Sequence, residues 1–136
     1  MADRLSLEIA TPMRLVTAET ADEVVIPGIE GYFGVLPGHA PFLTTLGIGR
    51  LTYRQGREER HLAVAGGFAE VRNDKVIVLA DTAETPEEID RARAERSRER
   101  AERRLAGRSQ EEVDHMRCQA ALARALTRIQ VAERGR

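Results

Sequence analysis

The sequence changes character abruptly at Pro86, and this break constrains the fold more than any other feature. Residues 1–86 contain nine of the eleven glycines and all five prolines, whereas residues 87–136 contain no proline. Frequent turn-forming residues are typical of short strands, and their absence favours helices. The charge changes as well, from 8 basic and 12 acidic residues before the break to 13 and 10 after it. We therefore expect two domains, residues 1–86 and residues 87–136.

The first half has the periodicity of short strands. Residues 5–10 (LSLEIA) and 50–54 (RLTYR) alternate between apolar and polar, whereas residues 61–66 (HLAVAG) and 75–81 (KVIVLAD) are denser and indicate buried strands. Turn signals recur between these segments, at Thr11-Pro12, Pro27-Gly28, Gln55-Gly56, Gly66-Gly67 and Asn73-Asp74. This spacing predicts an antiparallel sandwich or barrel. Because there are only five Phe and Tyr residues and no tryptophan, its core must be aliphatic.

The second half predicts two helices, roughly 86–106 and 109–133. Thr85, Pro86 and Glu88 form a capping-box pattern with proline at the first helical position. Ser109 and Glu112 repeat that pattern, and Gly107 supplies a stop between the helices. We therefore expect a helical hairpin.

The predicted hairpin has little apolar surface to bury. Thirteen of the 18 residues from 87 to 104 are charged, and i,i+4 pairing is expected for Glu87–Arg91, Arg91–Glu95 and Glu99–Arg103. The second helix carries an apolar stripe of mostly small residues: Cys118, Leu122, Ala125, Ile129 and Ala132. We expect the hairpin to be held only marginally against the first domain.

Composition excludes several classes of function. A single cysteine, Cys118, rules out an internal disulfide, and with only three histidines beside it we expect no structural zinc site and no other metal. A net charge of −1 gives no general attraction to nucleic acid. The N-terminus lacks the apolar segment of a signal peptide, and no run approaches the ~18 apolar residues of a membrane helix.

Common catalytic motifs are absent, because the sequence contains no G-x-x-x-x-G-K-[ST], no H-E-x-x-H and no G-x-S-x-G. We expect Cys118 to be a small core residue, His61 to have a surface or cross-strand role, and His115 to lie on an exposed helix face. His39, in the segment Gly-His-Ala-Pro, lacks a neighbouring carboxylate or hydroxyl partner. We expect it to shape its loop or to contact a partner protein rather than to act in catalysis.

Four arginines form a candidate anion site. Arg93 and Arg100 share one face of the first helix, and Arg124 and Arg128 share one face of the second. If these faces meet, four guanidinium groups converge, and guanidinium matches the geometry of phosphate. The alternative is a solvated face on which the arginines pair with nearby glutamates.

Three segments together resemble the epsilon subunit of bacterial F-type ATP synthases. They are EGYFGVLPGHAPFLT (residues 30–44), VAGGFAEV (64–71) and VIVLADTAE (76–84), and the charged hairpin follows them. The resemblance covers essentially the whole chain. It implies a β-sandwich of about ten short antiparallel strands, followed by a C-terminal α-helical hairpin.

The resemblance also implies a place and partners. Such subunits belong to the central stalk, bind the gamma subunit and the ring of c subunits at the cytoplasmic face of the cell membrane, and couple proton flow to ATP synthesis. They carry out no catalysis. When their hairpin extends into the alpha/beta hexamer it inhibits ATP hydrolysis. On this basis we expect Glu30 and Tyr32 to face the c ring and His39 to lie at a partner surface.

A shorter motif implies a regulatory ligand. Some bacterial members bind ATP in the folded hairpin through I-D-x-x-R-A, which residues 89–94 (IDRARA) match. The resemblance therefore implies an ATP site, with no other cofactor required, formed by Glu84, Ile89, Asp90, Arg93, Ala94, Arg100, Arg124 and Arg128.

Three functions remain open from the sequence. The first is a rotor subunit with an inhibitory hairpin, and the second is a module whose main role is to sense ATP. The third is a free-standing enzyme, which would need a pocket of convergent titratable groups.

Overall fold

The computed structural model describes residues 4–107 and 112–134, as eight strands followed by two helices. The strands are β1 (Leu5–Ala10), β2 (Leu15–Ala21), β3 (Glu23–Gly28), β4 (Gly31–Val35), β5 (Phe42–Thr45), β6 (Ile48–Gln55), β7 (Glu58–Arg72) and β8 (Lys75–Glu84). A short 3-10 helix (Pro86–Glu88) leads into α1 (Arg91–Leu105) and α2 (Glu112–Arg134).

The strands form a sandwich, which confirms the predicted fold. They follow the order β2-β1-β8-β7-β6-β3-β4, with β5 paired to β7. The sheet folds over so that β2 approaches β6, where Tyr53 donates to Glu19 at 3.0 Å and Gln55 donates to the carbonyl of Thr20 at 2.8 Å. One pairing departs from the expected antiparallel pattern, since β1 and β8 run parallel. These two strands are far apart in the chain, so no hairpin dictates their direction.

The strand count is eight rather than about ten because β7 and β8 are long. The predicted turn at Gly66-Gly67 is wrong, since both glycines lie inside the 15-residue strand β7. Their φ angles of 69° and 107° bend the strand, and a Cβ at Gly67 would lie 2.0 Å from the carbonyl oxygen of Leu79. Glycine is therefore required where β7 passes from pairing with β6 to pairing with β5.

The other turn predictions are mostly confirmed. Turns occupy the positions after Thr11, at Gly56, and at Asn73-Asp74, whose φ angles are 49° and 60°. Pro27 and Gly28 instead close strand β3, and the turn falls on the next two residues.

The sandwich has one continuous aliphatic core, as the composition predicts. Alternate residues of β1 point inward, and Leu5, Leu7 and Ile9 are each at most 1% exposed. The core continues through Val24, Ile26, Val35, Leu46, Leu51, Leu62, Val64, Val71, Val76 and Val78, with Tyr53 as its buried aromatic residue.

The first helix begins later than predicted. The Glu88 side chain accepts from the backbone N–H of Thr85 at 3.0 Å, but this capping box starts only the 3-10 helix. Asp90 then caps α1 by accepting from the N–H of Arg93 at 3.0 Å. The β conformation of Ile89 separates the two helices. The second predicted box, Ser109 to Glu112, lies outside the described residues.

The charge pairs on the first helix also differ from those predicted. Arg91 reaches across to Glu133 of α2 at 2.6 Å, while Arg98 pairs with Glu95 and Glu102 at 2.9 and 3.3 Å. Glu87 lies before the helix, so the i,i+4 geometry with Arg91 does not arise. Arg103 donates to the backbone carbonyl of Glu99 rather than to its carboxylate.

The hairpin packs on the sandwich through α2, which lies over β6 and β7, while α1 packs against α2. The predicted stripe of α2 is confirmed: Cys118, Ala125 and Ala132 are buried, and Leu122 and Ile129 are half-buried. The apolar cluster that joins the two domains is small and contains Ala63, Ile89, Val131 and Ala132.

Candidate ligand site and docking surfaces

Ile89 and Asp90, the first two residues of the predicted ATP motif, have structural roles in this conformation. Ile89 is 5% exposed and packs with Ala63 and Val131 between hairpin and sandwich. Asp90 is the N-cap of α1. Ala94 is 1% exposed, one turn into α1, where a small side chain allows a close approach of the two helices. The motif thus fixes where the hairpin begins and how it rests on the sandwich.

Ion pairs at this junction connect the hairpin to the sandwich. Glu84, at the end of β8, accepts from Arg128 of α2, with Oε1 and Nε 2.6 Å apart. Arg14, between β1 and β2, pairs with Glu88. The hydrogen bond from Arg14, followed by that from the backbone of Thr85, lowers the pKa of Glu88 below its ordinary value. All four charged side chains are partly exposed, so each pair stabilises the junction by less than about 1 kcal/mol.

The four predicted arginines converge only in part. Arg100 and Arg124 line one cleft of about 500 Å³ between α1 and α2. Arg124 also lines a small cavity of about 10 Å³ between α2 and the sandwich, together with Arg128 and Glu84. Arg93 is exposed and lines neither space. Arg124 therefore links the interhelical cleft to the junction, whereas Arg93 stands apart.

The interhelical cleft contains two further arginines that the sequence analysis did not select. Arg104 lies one turn beyond Arg100 on α1, and Arg117 lies two turns before Arg124 on α2. Both spacings, four and seven residues, place the side chains on the same helix faces as the selected arginines. The signal was therefore present in the sequence, but the interhelical register needed to interpret it was not.

A buried histidine lies beneath the other end of α2. His61 is 9% exposed, and its Nδ1 lies 2.9 Å from the Thr52 hydroxyl on the adjacent strand, which confirms the cross-strand role. Burial, followed by the nearby Arg50, lowers the pKa of His61. Arg50 Nη1 is itself buried and has no hydrogen-bond partner among the described residues. The lowered pKa favours the neutral form of the His61 ring in this conformation.

The three predicted partner residues do not form one surface. Glu30 lies in the turn before β4, next to the exposed Ile29 and Tyr32, whose hydroxyl accepts from the N–H of Arg50 at 3.0 Å. His39 lies beyond the other end of β4, where its Nδ1 is 2.6 Å from the carbonyl oxygen of Ala40. The β3–β4 turn and the His39 loop are thus separated by the length of a strand.

An exposed apolar band crosses the outer face of the sandwich. In the strand register, Leu15 lies opposite Ala10, Ala10 opposite Leu79, and Leu79 opposite Phe68. Leu15, Phe68 and Leu79 are each more than half exposed, and Leu43 of β5 adds a fourth such side chain. Contiguous exposed apolar rows are typical of surfaces that bind another protein.

No helix within the described ranges is long and apolar enough to cross a membrane. Among those same residues, no group of three or more His, Cys, Asp and Glu side chains could hold a metal ion.

These features define a class of protein: a β-sandwich with an exposed apolar face that carries a C-terminal two-helix hairpin. The β-sandwich domain of the ATP synthase delta/epsilon chain matches residues 4–86, and the long α-helix domain of the same chain matches residues 87–133. The chain therefore belongs to the ATP synthase delta/epsilon chain family.

Relatives within this family are similar over their whole length. The ATP synthase epsilon chain of Nitratidesulfovibrio vulgaris is 53% identical over 131 residues, covering 96% of this chain and 97% of the relative. That of Syntrophobacter fumaroxidans is 52% identical over 134 residues, covering 98% and 99%. The fold is similar to a chain of the Euglena gracilis mitochondrial ATP synthase, with a TM-score of 0.82, 24% identity, and 98% and 83% of the two chains covered.

Proposed function

We propose that this chain is an epsilon-type subunit of the central stalk of a bacterial F-type ATP synthase. It rotates with the gamma subunit and the c ring at the cytoplasmic face of the membrane, and it helps to couple proton flow to ATP synthesis. It carries out no catalysis itself. Membership of the family supports this proposal, and the exposed apolar band is the structural observation that carries it.

The proposal assigns two surfaces of the sandwich to two partners. The apolar band of Leu15, Leu43, Phe68 and Leu79 binds gamma, because a permanent stalk contact buries apolar side chains. The β3–β4 turn, with exposed Glu30 and Tyr32, meets the c ring. The His39 loop, at the opposite end of β4, would then contact gamma rather than the ring.

The hairpin regulates ATP hydrolysis by leaving the sandwich and extending into the alpha/beta hexamer. Its contact with the sandwich supports this proposal, since among the described residues the buried apolar cluster between them has four members and the two ion pairs that cross the junction are partly exposed. Two arrangements within a few kcal/mol of each other are what a switching element requires.

ATP is the regulatory ligand of the docked hairpin. The interhelical cleft with Arg100 and Arg124 supports this assignment, and so does the position of Arg128 beside Glu84. A ligand that binds only the docked hairpin stabilises it by RT ln(1 + [L]/Kd), so the stabilisation grows with the ligand concentration. ATP would thus hold the hairpin away from the catalytic subunits.

Deleting residues 87–136 tests the inhibitory role. The core cluster of the sandwich lies entirely between Leu5 and Ala83, so the truncated protein retains the core that specifies its fold. In a reconstituted complex, we expect ATP hydrolysis to rise several-fold while binding to gamma is unchanged. Unchanged hydrolysis, with the truncated subunit still bound, would remove the inhibitory role.

The alternative is a module whose main role is to sense ATP, which the arginine-lined cleft favours. Calorimetry with ATP on the wild type, Arg93→Ala and Arg128→Ala tests the ATP site, and a binding assay with gamma separates the two proposals. No heat from the wild type would exclude an ATP site. Binding of ATP without any binding to gamma would favour the sensing module over the stalk subunit.

A further inference from the structure

The β3–β4 turn is supported differently on its two sides. On the β3 side, the N–H of Gly47 donates to the carbonyl of Pro27 at 2.9 Å, and the N–H of Ile29 donates to the carbonyl of Thr45 at 2.9 Å. These backbone bonds fasten the end of β3 to the connection between β5 and β6. On the other side, β4 lies at the edge of the described sheet and pairs there with β3 alone. The β4 side of the turn therefore needs support from a side chain.

Tyr32 supplies that support by reaching past β3 to β6. In the strand register Tyr32 lies opposite Pro27, and its hydroxyl accepts from the backbone N–H of Arg50 at 3.0 Å. The pairing of β3 with β6 ends at Thr52, two residues before Arg50. A backbone N–H beyond the end of a ladder requires another acceptor. The tyrosine hydroxyl thus takes the place of a strand partner and ties the edge strand to β6.

A glycine makes room for this contact. A Cβ at Gly49 would fall on the Tyr32 hydroxyl and would lie 2.7 Å from Cβ of Pro27. The farther half of β4 is anchored separately, because Val35 is buried in the apolar core and Phe33 packs against it. The Tyr32 bond therefore acts on the end of β4 that leads into the turn.

We propose that Tyr32 is a positioning residue for the contact with the c ring. This inference rests on the proposed binding of the β3–β4 turn to the ring, and it adds how the turn is held. The bond to Arg50 fixes the β4 side of the turn, so that the exposed Ile29 and Glu30 at its tip meet the ring in one orientation. A loop that is already held in its bound conformation loses less conformational freedom on binding.

Two measurements together test the inference: binding of the complex of this chain with gamma to purified c rings, and amide hydrogen exchange of the full chain. The test variant is Tyr32→Phe, which removes only the hydroxyl. The matched control is Tyr53→Phe, at the other tyrosine of the chain. The Tyr53 hydroxyl donates to Glu19, which keeps Gln55 as a donor at 3.1 Å when that hydroxyl is lost.

We expect Tyr32→Phe to lower the affinity for the c ring by ~2–10-fold, which is the worth of one neutral hydrogen bond. The amide of Arg50 should exchange faster, while that of Val64 in β7 keeps its wild-type rate, because the sandwich core is unaffected. Tyr53→Phe should leave ring affinity unchanged. Glu30→Gln alters the contact itself, so it should weaken ring binding without changing exchange at Arg50.

A second variant reaches the same bond from the opposite side. Gly49→Ala places a methyl group where the Tyr32 hydroxyl lies, so it should displace that hydroxyl and also speed exchange at Arg50. Tyr32→Phe added to Gly49→Ala should then lower ring affinity by less than about twofold further. Losses that multiply fully in the double variant would show that the two positions act independently and would overturn the proposed bond.

The remaining outcomes separate this inference from the proposed ring contact. Faster exchange at Arg50 in Tyr32→Phe with unchanged ring affinity overturns the positioning role and leaves the ring contact intact. Weaker ring binding with unchanged exchange at Arg50 also overturns it, because Tyr32 would then act as a direct contact. Absence of ring binding by the wild type overturns both the ring contact and this inference.

Discussion

The sandwich and the hairpin each match their own domain of the family, but they are stabilised in different ways. The sandwich buries one continuous cluster of 18 residues, most of them large and aliphatic. The hairpin joins it through a cluster of four, of which only Ile89 and Val131 are larger than alanine. Burying a side chain of that size contributes about 1.5–3 kcal/mol. The comparison teaches that one chain can combine a domain with a large apolar core and an element that a much smaller apolar cluster connects to it.

The largest effect is expected in the sandwich core. Leu51 is fully buried on β6, so Leu51→Ala should lower the free energy of unfolding by about 2–5 kcal/mol. Urea denaturation measures this directly. Leu79→Ala on the exposed face is the control and should cost less than about 1 kcal/mol. Equal losses in the two variants would contradict the division between core and docking face.

A smaller and local effect is expected at the contact between the domains. Ile89→Ala removes the largest side chain of the connecting cluster, so it should loosen the hairpin by about 2 kcal/mol while the sandwich stays intact. Faster hydrogen exchange in α2, with unchanged exchange in β7, is the expected result. Leu126→Ala, an exposed position on α2, should leave both unchanged. If Ile89→Ala unfolded the whole protein in one step, the two regions would not be separate units.

The N-cap of α1, Asp90, provides a smaller test within the hairpin. Asp90→Ala removes the acceptor for the N–H of Arg93 and should weaken the first turn of α1 by about 1 kcal/mol. Asp90→Asn retains an acceptor and should restore most of the loss. Amide exchange at the start of α1 is the measurement. Equal exchange in all three proteins would show that the cap does not hold this helix.

The smallest effect is a dependence of docking on pH. Burial lowers the pKa of His61 below its ordinary value of 6.5, so the docked state favours the neutral ring. The contribution of His61 to docking is therefore complete above pH ~6.5 and is lost as the pH falls through the lowered pKa. Arg50 and Arg134 also disfavour the charged ring, and Glu59 partly offsets their effect. Fluorescence energy transfer between sandwich and hairpin should report undocking on acidification.

His61→Gln should remove this pH dependence, whereas the exposed His115→Gln should not. Glu88 contributes to docking over a lower pH range. Because its pKa in the docked state is below the ordinary value of 4.5, its contribution is lost only as the pH falls below about 4.5. Undocking of wild type and His61→Gln at the same pH would assign the transition to another group.

The fold could be predicted where local patterns decide it. Alternation in LSLEIA gives β1 with the predicted bounds, and the break at Pro86 separates strands from helices. The prediction was wrong at Gly66-Gly67, because two glycines that usually form a turn here bend a continuous strand. That distinction depends on the pairing of β7 with β5 and β8, which is a long-range property.

The candidate site was predicted less completely for a similar reason. Periodicity gives the face of each helix, so Arg100 and Arg124 were identified correctly as neighbours of one cleft. Periodicity does not give the register between helices, and therefore it did not show that Arg104 and Arg117 line the same cleft or that Arg93 lies outside it. The ion pairs Arg14–Glu88 and Arg128–Glu84 join residues far apart in the chain and have no local signal.

Native-state hydrogen exchange tests the central claim most directly, that the hairpin opens while the sandwich remains folded. We expect the amides of Ala125 and Val131 in α2 to exchange through an opening that costs at least about 2 kcal/mol less than the opening that exposes Val64 in β7. Saturating ATP should reduce that difference. Equal protection of α2 and β7, with and without ATP, would contradict the account.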